Sequence, residues 1–247
     1  MVTHIEVCID NIESLHYAIA SGATRIELCS SLALGGLTPS YGFMQQAAKL
    51  STVPIYAMIR PRQGDFLYRE EEIDMMRWDI EAAHQAGLDG VVLGVLSQEG
   101  DIHIPFSKAL CEFAQELGLG VTFHRAFDQC RNAQSALEEI ISLGCERILT
   151  SGLAPSALQG IDELQALVSQ AQGRIAIMAG AGVNANNVRA LVDTTQVPEI
   201  HLSGKMTRPS KMNFVAEQSK MGATDVDDFL IPITSTQAIA DVVAALK

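Results

Sequence analysis

Eight short runs rich in β-branched and aliphatic residues recur along the chain, and a longer amphipathic segment follows each of them. The runs begin at His4, Thr24, Pro54, Asp89, Leu119, Glu146, Arg174 and Glu199. Strands that alternate with helical segments pair in parallel, because each helix carries the chain back along the sheet. Eight such units predict an α/β fold in which eight parallel strands close into a barrel inside a ring of helices, the (β/α)8 or TIM barrel.

Glycine marks the end of many predicted helices, just before the next strand. These glycines are Gly22, Gly87, Gly118, Gly144 and Gly173. Glycine adopts the left-handed conformation that closes a helix. An open doubly wound sheet usually has a glycine-rich first βα turn, whereas the first turn here reads CIDNIES. With no linker or low-complexity segment, the sequence predicts one domain over residues 1–247, with residues 205–228 as its one long irregular segment.

The charge balance limits the partners that the chain can bind. Its formal net charge is −12, whereas nucleic acids and anionic membrane surfaces attract basic proteins. No apolar run approaches the roughly 18 residues that a spanning helix needs, and the N-terminus lacks the layout of a signal peptide. Five cysteines without a CxxC pair fit free thiols in a reducing compartment. We therefore expect a cytoplasmic protein with no nucleic-acid or membrane partner.

The first two strands carry the related signatures IEVC and IELC. Side chains alternate along a strand, so apolar residues facing the helices direct Glu6, Cys8, Glu27 and Cys29 into the barrel. The same alternation places further side chains inside in strands three, five and eight. They are Met58, Arg60, Thr122, His124, His201 and Ser203.

Branched apolar side chains normally fill a barrel, and buried charges are costly unless they are paired or functional. One interpretation is a structural ion network that joins Glu6 and Glu27 to Arg60. The other is a catalytic site at the carboxyl ends of the strands, where barrel enzymes carry their chemistry. The candidate catalytic residues are Glu6, Glu27 and Asp128 as acids or bases, His124 and His201 as proton relays or carbonyl polarisers, and Arg60 as an anion holder.

An anion site is predicted after strands seven and eight, which end in MAGAGVNANN and HLSGK. Small glycines allow close backbone approach, Asn184 is the predicted helix N-cap, and free N–H groups at a helix start attract anions. Lys205 would form a basic cluster with Arg208 and Lys211. The predicted anion-binding residues are Arg62, Arg125, Gly180, Gly182, Ser203, Gly204 and Lys205. The alternative is that the glycines only make tight turns.

The motifs ELCSSLALGGLTPS, MIRPRQGDFLY, TFHRAFD, ILTSG and AGAGV follow one another in an order that resembles the CutC family along nearly the whole chain. The resemblance implies a TIM barrel, a cytoplasmic location, a homodimer and a role in copper homeostasis. It also implies Cu(I) bound by inward-facing cysteines, here Cys8 and Cys29. No organic cofactor is predicted. Soft cuprous ion prefers such ligands, and equivalent positions on adjacent strands lie about 4.8 Å apart.

Two function classes therefore remain open. One is a copper-binding homeostasis protein whose partner is a copper ion. The other is an enzyme that acts on a small anionic or phosphorylated metabolite at the C-terminal face of the barrel.

Overall fold

The computed structural model describes residues 2, 4–215, 219 and 226–247. Within this part of the chain, β1 to β8 form a closed barrel in sequence order, and β1 pairs with β8. Every neighbouring pair in the barrel is parallel. The structure thus confirms the (β/α)8 prediction.

The barrel strands are β1 (His4–Ile9), β2 (Arg25–Leu28), β3 (Ile55–Met58), β4 (Gly90–Leu93), β5 (Gly120–Phe123), β6 (Arg147–Thr150), β7 (Ala176–Ala179) and β8 (Glu199–Leu202). The helices are α1 (Ile12–Ala20), α2 (Tyr41–Leu50), α3 (Glu70–Gln85), α4 (Ile104–Glu116), α5 (Ala133–Ser142), α6 (Ile161–Ala171), α7 (Val188–Thr195) and α8 (Thr236–Leu246). Short 3-10 turns cover Leu32–Leu34 and Arg125–Gln129.

The segment after β8 was predicted to be irregular, but part of it forms a strand. It begins with β9 (Lys205–Pro209), which pairs antiparallel with β10 (Leu230–Thr234) outside the barrel. Local sequence did not reveal this strand, because its partner lies about twenty residues further along the chain. Residues 216–218 and 220–225 of the predicted segment lie outside the described residues.

The helices bury one face against the barrel. In α3, the buried side chains Ile73, Met76, Ile80 and Ala83 recur at intervals of three and four, which is the spacing of one helical face. The glycines predicted to close helices adopt positive φ, as at Gly87, where φ is 82°. In the part of the chain that the structure describes, no helix combines the length and the hydropathy required to cross a bilayer.

Charged side chains fill the lower half of the barrel. Arg25 donates from Nε to Glu6 at 2.5 Å and also pairs with Glu199. Arg147 lies 3.2 Å from Glu199 and donates to Thr122. A carboxylate buried at this depth is tolerated because an opposite charge and a hydrogen bond compensate it.

In the ion network predicted from the sequence, the cation was Arg60, whereas in the structure the cation beside Glu6 is Arg25. Glu6 pairs with Arg25, its direct neighbour in the β1–β2 register, and not with Arg60. Arg60 follows β3 at the mouth of the barrel and donates to the backbone carbonyls of Leu34, Gly36 and Gly64. Arg60 therefore connects the loops after β2 and β3, and Arg25 is the residue that neutralises Glu6.

We expect Arg25→Met to destabilise the fold by about 3–5 kcal/mol, because it removes the buried guanidinium that the Glu6 and Glu199 carboxylates share. Urea unfolding measures this change. The matched control is Arg174→Met, which removes an exposed Arg–Glu pair with Glu138 and should change stability far less. Equal losses in the two variants would contradict a stabilising role for the buried network.

Candidate functional site

A cavity of about 460 Å³ lies at the carboxyl ends of the barrel strands. Its lining combines apolar side chains with several charged ones. The lining residues are Cys8, Glu27, Leu32, Gly35, Met58, Arg60, Phe66, His124, Arg125, Leu149, Ala181, Gly182, Val183, Asn184, His201, Leu202, Ser203, Gly204, Lys205 and Ala238. This volume lies in the range of pockets that bind small molecules.

His201 occupies the centre of a buried polar cluster. The β1–β8 register places it beside Glu6, and its Nδ1 lies 2.9 Å from the Glu6 Oε1 atom. Its Nε2 lies 3.8 Å from Oε2 of Glu27. Glu6 does not line the cavity. It contacts Nδ1 of the imidazole, so the other ring nitrogen, Nε2, is directed towards Glu27 and the Cys8 thiol.

The charges of this cluster follow from its contacts. Burial acts to lower the pKa of His201, but Cys8, Glu27 and Glu6 raise it well above its ordinary value. Burial acts to raise the pKa of Glu6, yet its hydrogen bond to His201 and the charge of Arg25 lower it to about 2. Burial raises the pKa of Glu27. At neutral pH, His201 is therefore an imidazolium and Glu6 a carboxylate.

His124 has the opposite protonation state. Its Nδ1 accepts a hydrogen bond from the Ala126 amide at 3.1 Å, which leaves the single proton of the neutral ring on Nε2. Burial, assisted by the charge of Arg60, lowers the pKa of His124 to about 3. The ring packs against Phe66 with 4.9 Å between centroids. His124 is thus a neutral N–H donor beside the cavity.

Three atoms that could hold a metal ion come from Cys8, Glu27 and His201. Their ligand atoms lie within 4.8 Å of one another, and all three residues are buried. The predicted equivalence of Cys8 and Cys29 was wrong, because the barrel register places Glu27, not Cys29, beside Cys8. Cys29 follows the last residue of β2, and its thiol donates to Glu27 Oε2 at 3.5 Å.

Asp128 and Arg62, which were predicted as site residues, are engaged by protein groups. Asp128 accepts hydrogen bonds from the hydroxyl of Thr150 at 2.5 Å and from the amide of Ser151, and it pairs with Arg125 at 2.7 Å. Arg62 pairs with Glu72 at 2.6 Å on α3. Arg125 lines the cavity, whereas Asp128 and Arg62 lie outside its lining.

The loops after β7 and β8 form one wall of the cavity, which contains Gly182, Ser203, Gly204 and Lys205. Gly180 lies just outside, where a Cβ would be 2.6 Å from Leu149. Arg208 does not join a basic cluster with Lys205, because it pairs with Glu13 at 2.8 Å.

The predicted helix N-cap at Asn184 was wrong. Helix α7 begins at Val188, and Asn187 occupies the N-cap position. Asn184 instead lies in the preceding turn. Its Oδ1 accepts a hydrogen bond from the backbone amide of Asn186, and its backbone amide donates to Oδ1 of Asn187. An asparagine in such a turn satisfies the backbone as a cap does, so the two roles look alike in sequence.

Sequence reasoning missed Arg25, Arg147 and Glu199, which support the site from below. Arg25 lies two residues before Glu27 and shares its inward parity, so alternation alone could have found it. It also missed Phe66, a residue of the loop after β3 that lines the cavity and contacts Arg60 and His124. No local pattern distinguishes this phenylalanine from a core residue.

We expect the neutral state of His124 to make stability depend on pH. Its pKa in the fold is about 3, against an ordinary value of 6.5 for histidine, so below pH 6.5 the unfolded chain binds a proton that the folded chain does not. Relative to His124→Asn, which retains an acceptor for Ala126, wild type should lose about 1.4 kcal/mol per pH unit between pH 6.5 and 5. Urea unfolding across this range measures the difference, and a pH-independent difference would show that His124 titrates normally.

Comparison with known proteins assigns this chain to a family. The CutC family model matches residues 3–206. CutC family proteins of Vibrio parahaemolyticus serotype O3:K6 and Aliivibrio fischeri are 83% and 58% identical over 247 residues, which is 100% of this chain and of each relative.

Solved structures agree with the sequence comparison. CutC from Streptococcus agalactiae, a protein with a proposed role in copper homeostasis, matches with a TM-score of 0.76 and 34% identity over 81% of this chain and 98% of that one. Phosphoribosylanthranilate isomerase from Thermotoga maritima matches with a TM-score of 0.58 and 15% identity over 99% and 98%, and shares the fold alone. The chain belongs to the CutC family.

Proposed function

We propose that this CutC family protein is an enzyme that carries out acid–base chemistry on a small anionic metabolite in the cavity. One observation carries the proposal: Glu27 Oε1, Arg60 Nε and His124 Nε2 are buried and have no hydrogen-bond partner among the described residues. All three residues line the same cavity. Buried polar atoms in proteins are nearly always satisfied, so a molecule bound in the cavity would supply the partners.

The cluster around His201 supports a role in proton transfer. Glu27 is the base or acid, since burial raises the pKa of its carboxyl and Oε1 is free. His201 is the cation that faces Glu27 at 3.8 Å. Glu6 is a positioning residue that fixes the orientation and charge of His201. Asp128 is also a positioning residue in this proposal, because it accepts a hydrogen bond from the Ser151 amide just after β6 and pairs with Arg125.

The anionic part of the metabolite is assigned to the wall made by Gly182, Ser203, Gly204 and Lys205. Lys205 is exposed and lines the cavity, so its ammonium is available to a ligand. Arg125 also lines the cavity on the β5 side, but Asp128 neutralises its charge at 2.7 Å, so the proposal assigns the anion to Lys205.

We expect inorganic phosphate and glycerol 3-phosphate to raise the melting temperature of the wild-type protein. Binding only to the folded state stabilises it by about 2.7 kcal/mol at 100 times the dissociation constant. Lys205→Ala should lose most of the shift. The matched control is Lys211→Ala, an exposed lysine that does not line the cavity. Equal shifts in both variants, or no shift in wild type, would contradict an anion site at Lys205.

A second function, binding of Cu(I) as cargo, is favoured by the grouping of Cys8, Glu27 and His201 within 4.8 Å. Cuprous ion prefers thiolate, and imidazole is also a copper ligand, so His201 would have to release its Nε2 proton when copper binds. The copper homeostasis role proposed for the Streptococcus agalactiae relative supports this candidate. Cys29 would enter the coordination only by releasing its bond to Glu27, so in this proposal Cys8 is the principal sulfur ligand and Cys29 the auxiliary one.

Competition with a cuprous chelator under anaerobic conditions tests the copper proposal. We expect Cys8→Ser to abolish binding, because it removes a sulfur ligand. Cys29→Ser should weaken binding on the order of 10-fold, since Cys29 acts through Glu27. Unchanged affinity in Cys8→Ser would exclude this copper site and leave the enzyme proposal as the account of the cavity.

The family resemblance also implies a cytoplasmic homodimer, and the sequence predicts a single domain over residues 1–247. These points remain predictions.

A further inference from the structure

The free atoms of the cavity specify the kind of group that they can bind. Arg60 Nε and His124 Nε2 are N–H donors, and both are buried without a hydrogen-bond partner among the described residues. Both side chains lie against the ring of Phe66, with the Arg60 guanidinium at 5.1 Å and the His124 ring at 4.9 Å from its centroid. The two donors therefore lie in one region of the cavity. A ligand with an acceptor oxygen in that region would satisfy both N–H groups.

Two of the three guanidinium nitrogens of Arg60 already donate to the protein. Its Nη1 donates to the carbonyls of Leu34 and Gly36, and its Nη2 donates one of its two N–H groups to Gly64 at 2.9 Å. Nε is the guanidinium nitrogen that has no hydrogen-bond partner among the described residues. Its single N–H can bind one oxygen atom, such as that of a carbonyl.

His124 suits an oxygen that becomes negative during a reaction. Its Nδ1 accepts from Ala126, so the neutral ring carries its one proton on Nε2, which is buried without a hydrogen-bond partner among the described residues, in a residue that lines the cavity. A neutral imidazole N–H can polarise a carbonyl and stabilise the enolate that forms from it. The remaining free atom, Glu27 Oε1, is an acceptor on the same cavity, while Oε2 of that carboxylate receives the Cys29 thiol.

We propose that the substrate is a small phosphorylated ketone, whose carbonyl oxygen binds to Arg60 Nε–H and His124 Nε2–H and whose adjacent carbon exchanges a proton with Glu27. This inference rests on the enzyme function proposed above and names its substrate class. The phosphate lies at the wall formed by Ser203, Gly204 and Lys205.

The step is a proton transfer without oxidation or reduction. The Glu27 carboxylate removes a proton from the carbon next to the carbonyl, and a bond forms between that proton and Oε1. The electron pair of the C–H bond becomes the C=C bond, and the C=O π pair moves to the oxygen, which Arg60 and His124 hold as an enolate. Return of a proton from Oε1 to the same carbon, while the electron pair on the oxygen restores the C=O bond, regenerates the ketone and completes an exchange.

Two pairs of probes test the inference, each a ketone and the alcohol that lacks only the carbonyl. They are dihydroxyacetone phosphate with glycerol 3-phosphate, and ribulose 5-phosphate with ribitol 5-phosphate. Binding is measured by calorimetry. In D₂O, proton NMR follows the loss of the C–H signal next to the carbonyl, against a protein-free control.

In wild type, at least one ketone should bind about 10-fold more tightly than its alcohol, equivalent to about 1.4 kcal/mol, and should exchange its proton. His124→Asn keeps the acceptor for Ala126 but loses the Nε2–H donor, so it should remove the preference. Glu27→Gln should keep the preference and abolish exchange. Lys211→Ala should behave as wild type, and circular dichroism verifies the fold of each variant.

The outcomes separate this inference from the function on which it rests. Equal binding of ketone and alcohol in both pairs, with no exchange, would overturn the ketone assignment and leave the anion site standing. Failure of all four probes and of inorganic phosphate to bind would overturn the proposed function together with the inference. Exchange that persists in Glu27→Gln would overturn the role of Glu27.

Discussion

The Glu6 carboxylate, held between Arg25 and His201, is the interaction on which the site depends. Arg25 donates to one oxygen of Glu6 and His201 contacts the other at 2.9 Å. This bridge joins the packed lower half of the barrel to the cavity above it. Because Glu6 is an anion with a pKa of about 2, it can hold His201 as a cation, and His201 in turn faces Glu27 and Cys8.

The two halves of the barrel treat polar groups differently. Below, Arg25 and Arg147 are paired with Glu6, Glu199 and Glu146, so these charges serve the stability of the barrel. Arg147 Nε has no hydrogen bond of good geometry, but its guanidinium is still ion-paired. Above, three residues that line the cavity each have a buried polar atom without a hydrogen-bond partner among the described residues. Charges that only fill a barrel would be paired in both halves. The contrast favours a ligand-binding role for the upper half, where barrel enzymes place their chemistry.

The sequence predicted the barrel because eight strand runs and their helices repeat one pattern, and local periodicity carries that information. It also located the polar side chains of β1, β2 and β8 from alternation. It failed where the answer depended on register or on distant pairing. The stagger of β1 against β2 sets Cys8 beside Glu27 and Glu6 beside Arg25, which no single strand reveals. The β9–β10 pair was missed for the same reason.

The protonation of His201 is the most direct test of this account. Nitrogen-15 NMR of labelled protein at pH 7 should show both ring nitrogens of His201 protonated, since Cys8, Glu27 and Glu6 raise its pKa well above the ordinary value despite burial. In Glu6→Gln, which keeps a hydrogen-bonding side chain but loses the charge, the ring should lose that second proton more readily. A neutral His201 in wild type that titrates near pH 6.5 would contradict the account, because the site would then lack its central cation.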